Sequence, residues 1–113
     1  MKVVDPDNAE SREITQHGSE HASVTPLTVP AGDAHVVRIR LEPGGVLGRH
    51  AGRVDQLFVV VEGEGRAAGP DGDSVPVAAG AAVYWAAGEE HETRSDTGLT
   101  AIVVEAPGIV PRR

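Results

Sequence analysis

The sequence contains no cysteine, and its only aromatic residues besides histidine are Phe58, Tyr84 and Trp85. The absence of cysteine excludes disulfides, thiolate metal ligands and a cysteine nucleophile. Positive charge is also scarce, since the formal net charge is −7. No cluster of Lys and Arg with interleaved aromatics is present, so nucleic acid and anionic membrane surfaces are not expected partners. No long apolar run resembles a secretion signal or a membrane span, and we therefore predict a cytoplasmic protein.

A chain of 113 residues is long enough for one domain. Residues 1–22 are polar and acidic and show no sustained periodicity, so we interpret them as an N-terminal arm. The apolar residues Val3, Val4 and Ile14 could still let this arm add an edge strand to the body or to a neighbouring subunit. Residues 23–106 are predicted to form the domain body, and residues 107–113 an irregular tail.

The domain body consists of short apolar runs separated by Gly, Pro and Asp, which is typical of a small all-β sandwich or barrel. The clearest half-buried strand alternates Val37, Ile39 and Leu41 with Arg38 and Arg40. Residues 42–45 and 69–72 have the composition of hairpin turns. No stretch carries a helical period with caps, so little or no helix is expected. Eight strands are predicted, at residues 24–29, 34–41, 56–62, 65–68, 74–78, 81–86, 91–95 and 99–105.

Residues 57–61 are apolar at odd and even positions alike, which predicts a strand covered on both faces. One face can fill a barrel, and the other needs a second sheet, the N-terminal arm or a partner subunit. A homodimer would supply that cover, and twofold association is the commonest kind. A strand covered within one chain explains the pattern equally well, so both interpretations stay open beside the predicted homodimer.

Two glycine- and histidine-containing motifs resemble those of the cupin family. The first has the family spacing Gly44-x5-His50-x-Gly52-x3-Gln56-x6-Gly63, but Gly52 and Gln56 stand where the family has His and Glu. The second runs Gly80-x5-Ala86-x-Gly88-x2-His91-x3-Ser95, with Ala and Ser where the family typically has Pro and Asn. The resemblance covers residues 34–105, and the stretch from Gln56 to Gly65 is similar to small single-domain cupins of bacteria. It implies a cupin-type antiparallel β-barrel, an RmlC-like jelly roll or double-stranded β-helix.

The resemblance also implies a site. In metal-binding cupins the ligands of the two motifs converge on one divalent ion. Carried over position by position, they are His50, Gln56 and His91, with nothing from Gly52. Imidazoles suit Zn, Fe, Ni, Cu or Mn, whereas a Gln carbonyl is a weaker donor than a carboxylate. The alternative is that the same three residues form a polar cluster without a metal.

The other polar residues near these motifs have structural interpretations beside the functional ones. Glu89 is kept open as an additional ligand, whereas Glu90 and Glu92 are interpreted as solvated loop residues. Tyr84 and Trp85 must lie on opposite faces of their strand, so one of them should line the cavity. The group of Arg49, Arg53 and Asp55 could bind an anion, but a salt-bridged rim is favoured. The remaining histidines are interpreted as structural: His17, His21 and His35.

Three functions are compatible with these residues. The first is a barrel that binds a small molecule in its cavity, with or without a divalent metal on His50, Gln56 and His91. The second is a metal-dependent dioxygenase, isomerase or lyase. The third is a non-catalytic dimerising or sensor module, for which the interior would be filled by side chains. The sequence does not specify a substrate, nor whether the protein is an enzyme.

Overall fold

The computed structural model describes residues 1–112, and strands dominate it. Two single-turn 3₁₀ helices, Pro6–Asn8 and Gln16–Gly18, are its only helical segments in that range. The fold predicted from the sequence, an all-β barrel with little helix, is confirmed. The eight strands are β1 (Arg12–Glu13), β2 (Glu20–Pro26), β3 (His35–Ala51), β4 (Gln56–Ala68), β5 (Ser74–Ala78), β6 (Ala82–Trp85), β7 (Glu90–Ser95) and β8 (Leu99–Glu105).

The two long strands β3 and β4 hold the barrel together because each changes partner along its length. Residues 35–41 of β3 pair with β8, and residues 45–51 pair with β7. Residues 56–63 of β4 likewise pair with β8, and residues 66–68 pair with β7. Strand β2 flanks β3, while β5 and β6 flank β4, and all these pairings are antiparallel. The strands therefore surround one interior.

The structure corrects one predicted turn and one predicted break. Residues 42–45 are not a hairpin, because β3 continues through them and bends where it exchanges β8 for β7. Gly44 makes this bend with a left-handed φ of 81°. The predicted break between residues 62 and 65 is also wrong, since β4 is continuous there and Gly63 adopts a φ of 78°. Glycine in a strand permits a sharp bend, and in the sequence such a bend is indistinguishable from a turn.

The hairpin predicted at residues 69–72 is confirmed. Ala68 at the end of β4 pairs with Ser74 at the start of β5. The turn between them is closed by a hydrogen bond of 3.0 Å from the backbone N–H of Gly72 to the carbonyl of Gly69.

The hydrophobic core lies between the inward faces of the strands. Along β3 the predicted alternation holds, because Val37, Ile39 and Leu41 are buried while Arg38 and Arg40 are half-exposed. On β8 and the neighbouring strands the core continues with Ala22, Val24, Phe58, Val60, Trp85, Leu99, Ala101 and Val103.

Strand β4 is covered unequally on its two faces. Its inward residues Phe58 and Val60 are each 1% exposed. Its outward residues Leu57 and Val59 are half-buried beside β6 and β8, and Val61 is 50% exposed. A single chain therefore leaves part of this outward apolar surface in water.

The segment interpreted as an N-terminal arm contributes strands to the sheet. β2 begins at Glu20 and pairs along β3, and β1 pairs with β2 through Arg12 and Val24. Between β1 and β2, the 3₁₀ turn Gln16–Gly18 packs against β3. This part of the chain therefore reaches the side of the barrel on which His50 lies.

Candidate functional site

A cavity of about 380 Å³ lies inside the barrel and is partly open to solvent. Its apolar wall includes Val37, Ile39, Leu47, Phe58, Trp85 and Val103. Its polar lining includes Arg12, Gln16, His17, His35, His50, Gln56, His91 and Glu105. The three residues proposed from the sequence, His50, Gln56 and His91, all face this space. The interior is not filled by side chains, which leaves room for a ligand.

His50 and His91 are brought together by strand register. They lie on β3 and β7 and are paired opposite each other in the sheet. Their ring centroids are 4.5 Å apart, with the ring planes tilted by 60°. The two histidines, 41 positions apart in the chain, thus meet because β3 exchanges β8 for β7 along its length. The cupin spacing predicted this meeting correctly.

Both imidazoles are oriented by backbone carbonyls. Nδ1 of His50 lies 2.7 Å from the carbonyl oxygen of Gly48, and Nδ1 of His91 lies 3.0 Å from that of Glu89. A carbonyl only accepts hydrogen bonds, so each Nδ1 must carry the proton and donate it. In the tautomer that these contacts select, the Nε2 lone pair of each ring stays free. Within residues 1–112 neither Nε2 makes a hydrogen bond to the protein.

Aromatic packing fixes the position of His91 further. The Trp85 ring stacks on it with centroids 4.3 Å apart and planes 15° from parallel, and Phe58 packs edge-on to Trp85 at 5.7 Å. Burial lowers the pKa of His91 below its ordinary value of 6.5, although the hydrogen bond to the Glu89 carbonyl opposes this shift. Burial therefore favours the neutral form of His91, which presents an acceptor at Nε2.

Gln56 and Gly52 depart from the cupin motif together. The Gln56 side chain, 8% exposed, packs directly over Gly52. A Cβ atom at position 52 would collide with Nε2 of Gln56. Because this atom is the far end of a flexible side chain, the contact shows only that the Gln56 amide occupies the space beside Gly52.

His17 is a cavity residue that the sequence interpretation missed. Its ring is stacked on that of His50, with centroids 5.1 Å apart and planes 12° from parallel. Its backbone is in the left-handed region at φ 59°, which is unfavourable for a residue with a side chain. The adjacent Ser19 accepts a hydrogen bond of 2.9 Å from the backbone N–H of Gly48. The sequence Gln-His-Gly around His17 has the composition of a turn, but nothing in it indicates where that turn docks.

The other two histidines differ from each other. His35 lines the cavity, where its Nε2 forms an ion pair of 2.9 Å with Glu105 at the end of β8. His21, in contrast, is exposed on β2 and does not line the cavity. The structural interpretation therefore holds for His21 and, through the ion pair, for His35.

The charged group near His50 is held by structural contacts. Arg49 donates to the carbonyls of Gly69 and Pro70, and it lies 3.5 Å from Glu90. Arg53 forms an exposed ion pair of 3.3 Å with Asp33. These contacts agree with the rim interpretation.

Asp55 holds two chain segments together. Its carboxylate accepts hydrogen bonds of 2.8 Å each from the backbone N–H groups of Ala87 and Gly108. These bonds lower the pKa of Asp55 below its ordinary value of 3.8. Asp55 therefore acts as a structural carboxylate.

Glu89 does not complete a metal shell. Its Oε1 accepts a hydrogen bond of 2.6 Å from the backbone N–H of Ala86, which closes the turn between β6 and β7. Glu92 pairs with Arg94 at 2.6 Å. Both carboxylates are therefore committed to contacts outside the imidazole pair.

His50, Gln56 and His91 do not match the full set of metal ligands that the cupin motifs imply. They supply two imidazoles and one amide, with glycine in place of the third imidazole and glutamine in place of the carboxylate. Within residues 1–112, no three His, Cys, Asp or Glu side chains are arranged to hold an ion. A neutral donor set with one amide is weak for a divalent cation. A metal on His50, Gln56 and His91 thus stays a prediction.

Fold and cavity together define a small jelly-roll barrel with a histidine-lined interior. The family model described as "Cupin domain" matches residues 37–106, more than half of the chain. The chain therefore belongs to the cupin family. No curated protein sequence matches it. None of the helices in the described residues is long and apolar enough to span a bilayer.

Solved structures share this fold at low sequence identity. A predicted oxalate decarboxylase from Thermotoga maritima is 23% identical, with a TM-score of 0.81 over 91% of this chain and 96% of that one. The polyketide cyclase RemF from Streptomyces resistomycificus is 18% identical, with a TM-score of 0.82 over 99% and 88%. An RmlC-like cupin from Shewanella frigidimarina is 22% identical, with a TM-score of 0.78 over 93% and 89%. These similarities establish the fold and leave the activity open.

Proposed function

We propose that this cupin binds a small organic molecule directly in the barrel cavity, with His50, Gln56 and His91 as the polar end of the site. The observation that carries the proposal is an open cavity of about 380 Å³ into which two oriented imidazoles face. Ligand pockets usually combine apolar walls with a few placed polar groups, at volumes of roughly 300–1,000 Å³.

The composition of the cavity supports this function. Phe58, Trp85 and the aliphatic residues of β3 and β8 supply apolar contact, while the amide of Gln56 can both donate and accept. Structural neighbours described as an oxalate decarboxylase and as a polyketide cyclase are consistent with an organic ligand for this fold.

The first experiment is a ligand screen read out by the fluorescence of Trp85, the single tryptophan of the chain, which lines the cavity. A ligand should change this fluorescence and raise the melting temperature, since a molecule that binds only the folded state stabilises it. The double variant His50→Ala, His91→Ala should lose both responses. The variant His21→Asn, altered at an exposed histidine outside the cavity, should keep them. A screen in which every hit binds the double variant as well as the wild type would contradict the proposal.

The metal alternative is tested separately by elemental analysis of untagged protein from metal-supplemented medium. Direct ligand binding predicts far less than one equivalent of Zn, Fe, Ni, Cu or Mn. One equivalent of a metal that disappears in the double variant, but is kept in His21→Asn, would instead support a metal-dependent site on His50, Gln56 and His91.

A further inference from the structure

In this tautomer, the two central imidazoles of the cavity, His50 and His91, offer a ligand only hydrogen-bond acceptors. Each uses the N–H at its Nδ1 to reach the carbonyl of the residue two positions earlier in the chain. The atoms left for a ligand are two Nε2 lone pairs on rings whose centroids are 4.5 Å apart. A ligand group that only accepts hydrogen bonds, such as an ether or ketone oxygen, gains nothing from them.

Leaving these lone pairs without a partner has an energetic cost. His91 is 2% exposed, so a ligand that fills the cavity excludes water from its Nε2. A buried acceptor without a donor is destabilising, whereas a satisfied one contributes favourably. The cavity therefore discriminates most strongly between molecules that do and do not carry a donor at this end.

The remaining walls restrict the size and shape of the molecule. A cavity of roughly 150 Å³ holds a benzene ring, so about 380 Å³ holds one substituted ring or two fused rings. Phe58 and Trp85, which meet edge to face, form an aromatic part of the wall, and Trp85 is covered on one face by His91. Aromatic walls favour planar aromatic ligands, which can pack against such rings offset or edge-on.

The charges around the cavity disfavour a cationic molecule. Glu105 is the only acidic residue among the described lining residues, and it is already paired with His35. Arg12 lines the same cavity from β1. The donor facing the imidazoles should thus belong to a neutral group, such as a hydroxyl, and not to an ammonium group.

On these grounds we infer that the ligand is a planar, hydroxylated molecule, a phenol or enol of one or two rings, whose O–H donates to Nε2 of His50 or His91. The inference rests on the proposed function and specifies its ligand class. Gln56, which lines the same cavity, can bond a second oxygen of such a molecule.

The test compares 2-naphthol with 2-methoxynaphthalene, which have the same fused rings and differ in the donor. Isothermal titration should give a Kd about tenfold lower for 2-naphthol, the ratio that corresponds to one hydrogen bond of typical net strength. The preference should disappear in His91→Phe combined with His50→Phe, which retains flat rings but removes both Nε2 atoms. The variant His21→Asn should keep it. Equal affinity of the two probes for the wild type, or a preference that survives in the double variant, would overturn the inference.

A second measurement does not depend on ligand binding or on the folding of a variant. Long-range ¹H–¹⁵N correlation spectra of the wild type at neutral pH should show His50 and His91 protonated at Nδ1 and unprotonated at Nε2. Protons on Nε2 of both rings would overturn the inference, because the site would then offer donors. If neither probe binds, the ligand class is wrong, and the wider screen described above decides independently whether the cavity binds small molecules at all.

Discussion

Single residues in the core show how a hydroxyl group can either weaken or strengthen this barrel. Thr93 is fully buried, and its hydroxyl has no hydrogen-bond partner among residues 1–112. Ser95, two residues along β7, donates to the carbonyl of Glu64 at 2.6 Å and accepts from the backbone N–H of Gly98 at 2.8 Å. The same functional group is thus unsatisfied at one position and doubly used at the other.

We expect Thr93→Val to raise the free energy of unfolding by about 1 kcal/mol, because it removes an unsatisfied buried hydroxyl while keeping a β-branched shape. Ser95→Ala should lower it by about 1–2 kcal/mol, because two backbone groups lose their partner. Urea unfolding followed by circular dichroism measures both. The interpretation fails if Thr93→Val destabilises as much as Ser95→Ala.

Asp55 gives the protein a component of acid sensitivity. Its pKa is lower in the folded state than the ordinary 3.8, because two backbone N–H groups stabilise the carboxylate. The stabilisation is therefore complete above the unfolded-state pKa and is lost as the pH falls through the lower folded-state value. Asp55→Asn should be less stable than wild type at pH 7, and the difference should shrink well below pH 4. Urea midpoints measured from pH 7 to pH 3 test this, and a constant difference would contradict it.

At the scale of elements, the N-terminal arm depends on a glycine of β3. A Cβ atom at position 48 would collide with the carbonyl oxygen of His17, so only glycine lets the 3₁₀ turn Gln16–Gly18 dock against β3. The same contact places His17 on His50. The close approach of His17 to Gly48 therefore both docks the arm and places the His17 ring in the cavity wall.

Gly48→Ala should displace this turn and lower the free energy of unfolding by about 1–3 kcal/mol, the usual cost of overpacking. Hydrogen exchange should become faster in residues 12–19. Gly69→Ala is the matched control, because a Cβ there has no neighbour within 4 Å and the backbone is not left-handed. Unchanged exchange in residues 12–19 of Gly48→Ala would show that the arm does not depend on this contact.

At the scale of the whole molecule, the outward apolar surface of β4 makes the predicted homodimer testable. Leu57, Val59 and Val61 line this face, and Val61 is half-exposed in a single chain. The stripe itself carries no charge, so a second copy could cover it despite the net charge of −7 that each chain carries. A twofold interface would place the same stripe on both subunits.

We expect light scattering after size exclusion to give the mass of a dimer for wild type and of a monomer for Val61→Lys at the same concentration, since a lysine cannot be buried in this interface without a partner. Val75→Lys, at a comparably exposed valine of β5, should leave the dimer intact. A monomeric wild type at high concentration would rule out this homodimer.

The strands were predictable where apolar alternation alone specifies them: residues 99–105 coincide with β8, and residues 34–41 match the first part of β3. The prediction of strand ends was wrong at Gly44 and Gly63. At these glycines the strand bends and continues, but the surrounding residues have the composition of a turn. It was also displaced at β2, which begins at Glu20 because pairing with β3, and not the hydrophobicity of its own residues, selects its bounds. Partner choice is a property of the sheet as a whole.

By itself the sequence determined the fold family and the imidazole pair, because the cupin spacing places His50 and His91 on strands that become neighbours. Only the tertiary structure decided what those residues can do. It showed the open cavity, the carbonyls that fix both tautomers, the Gln56 amide over Gly52 and the His17 ring on His50. The cavity and the His17–His50 contact join distant parts of the chain, whereas the carbonyl and Gln56 contacts are local but depend on backbone and side-chain geometry, and spacing within a motif specifies neither.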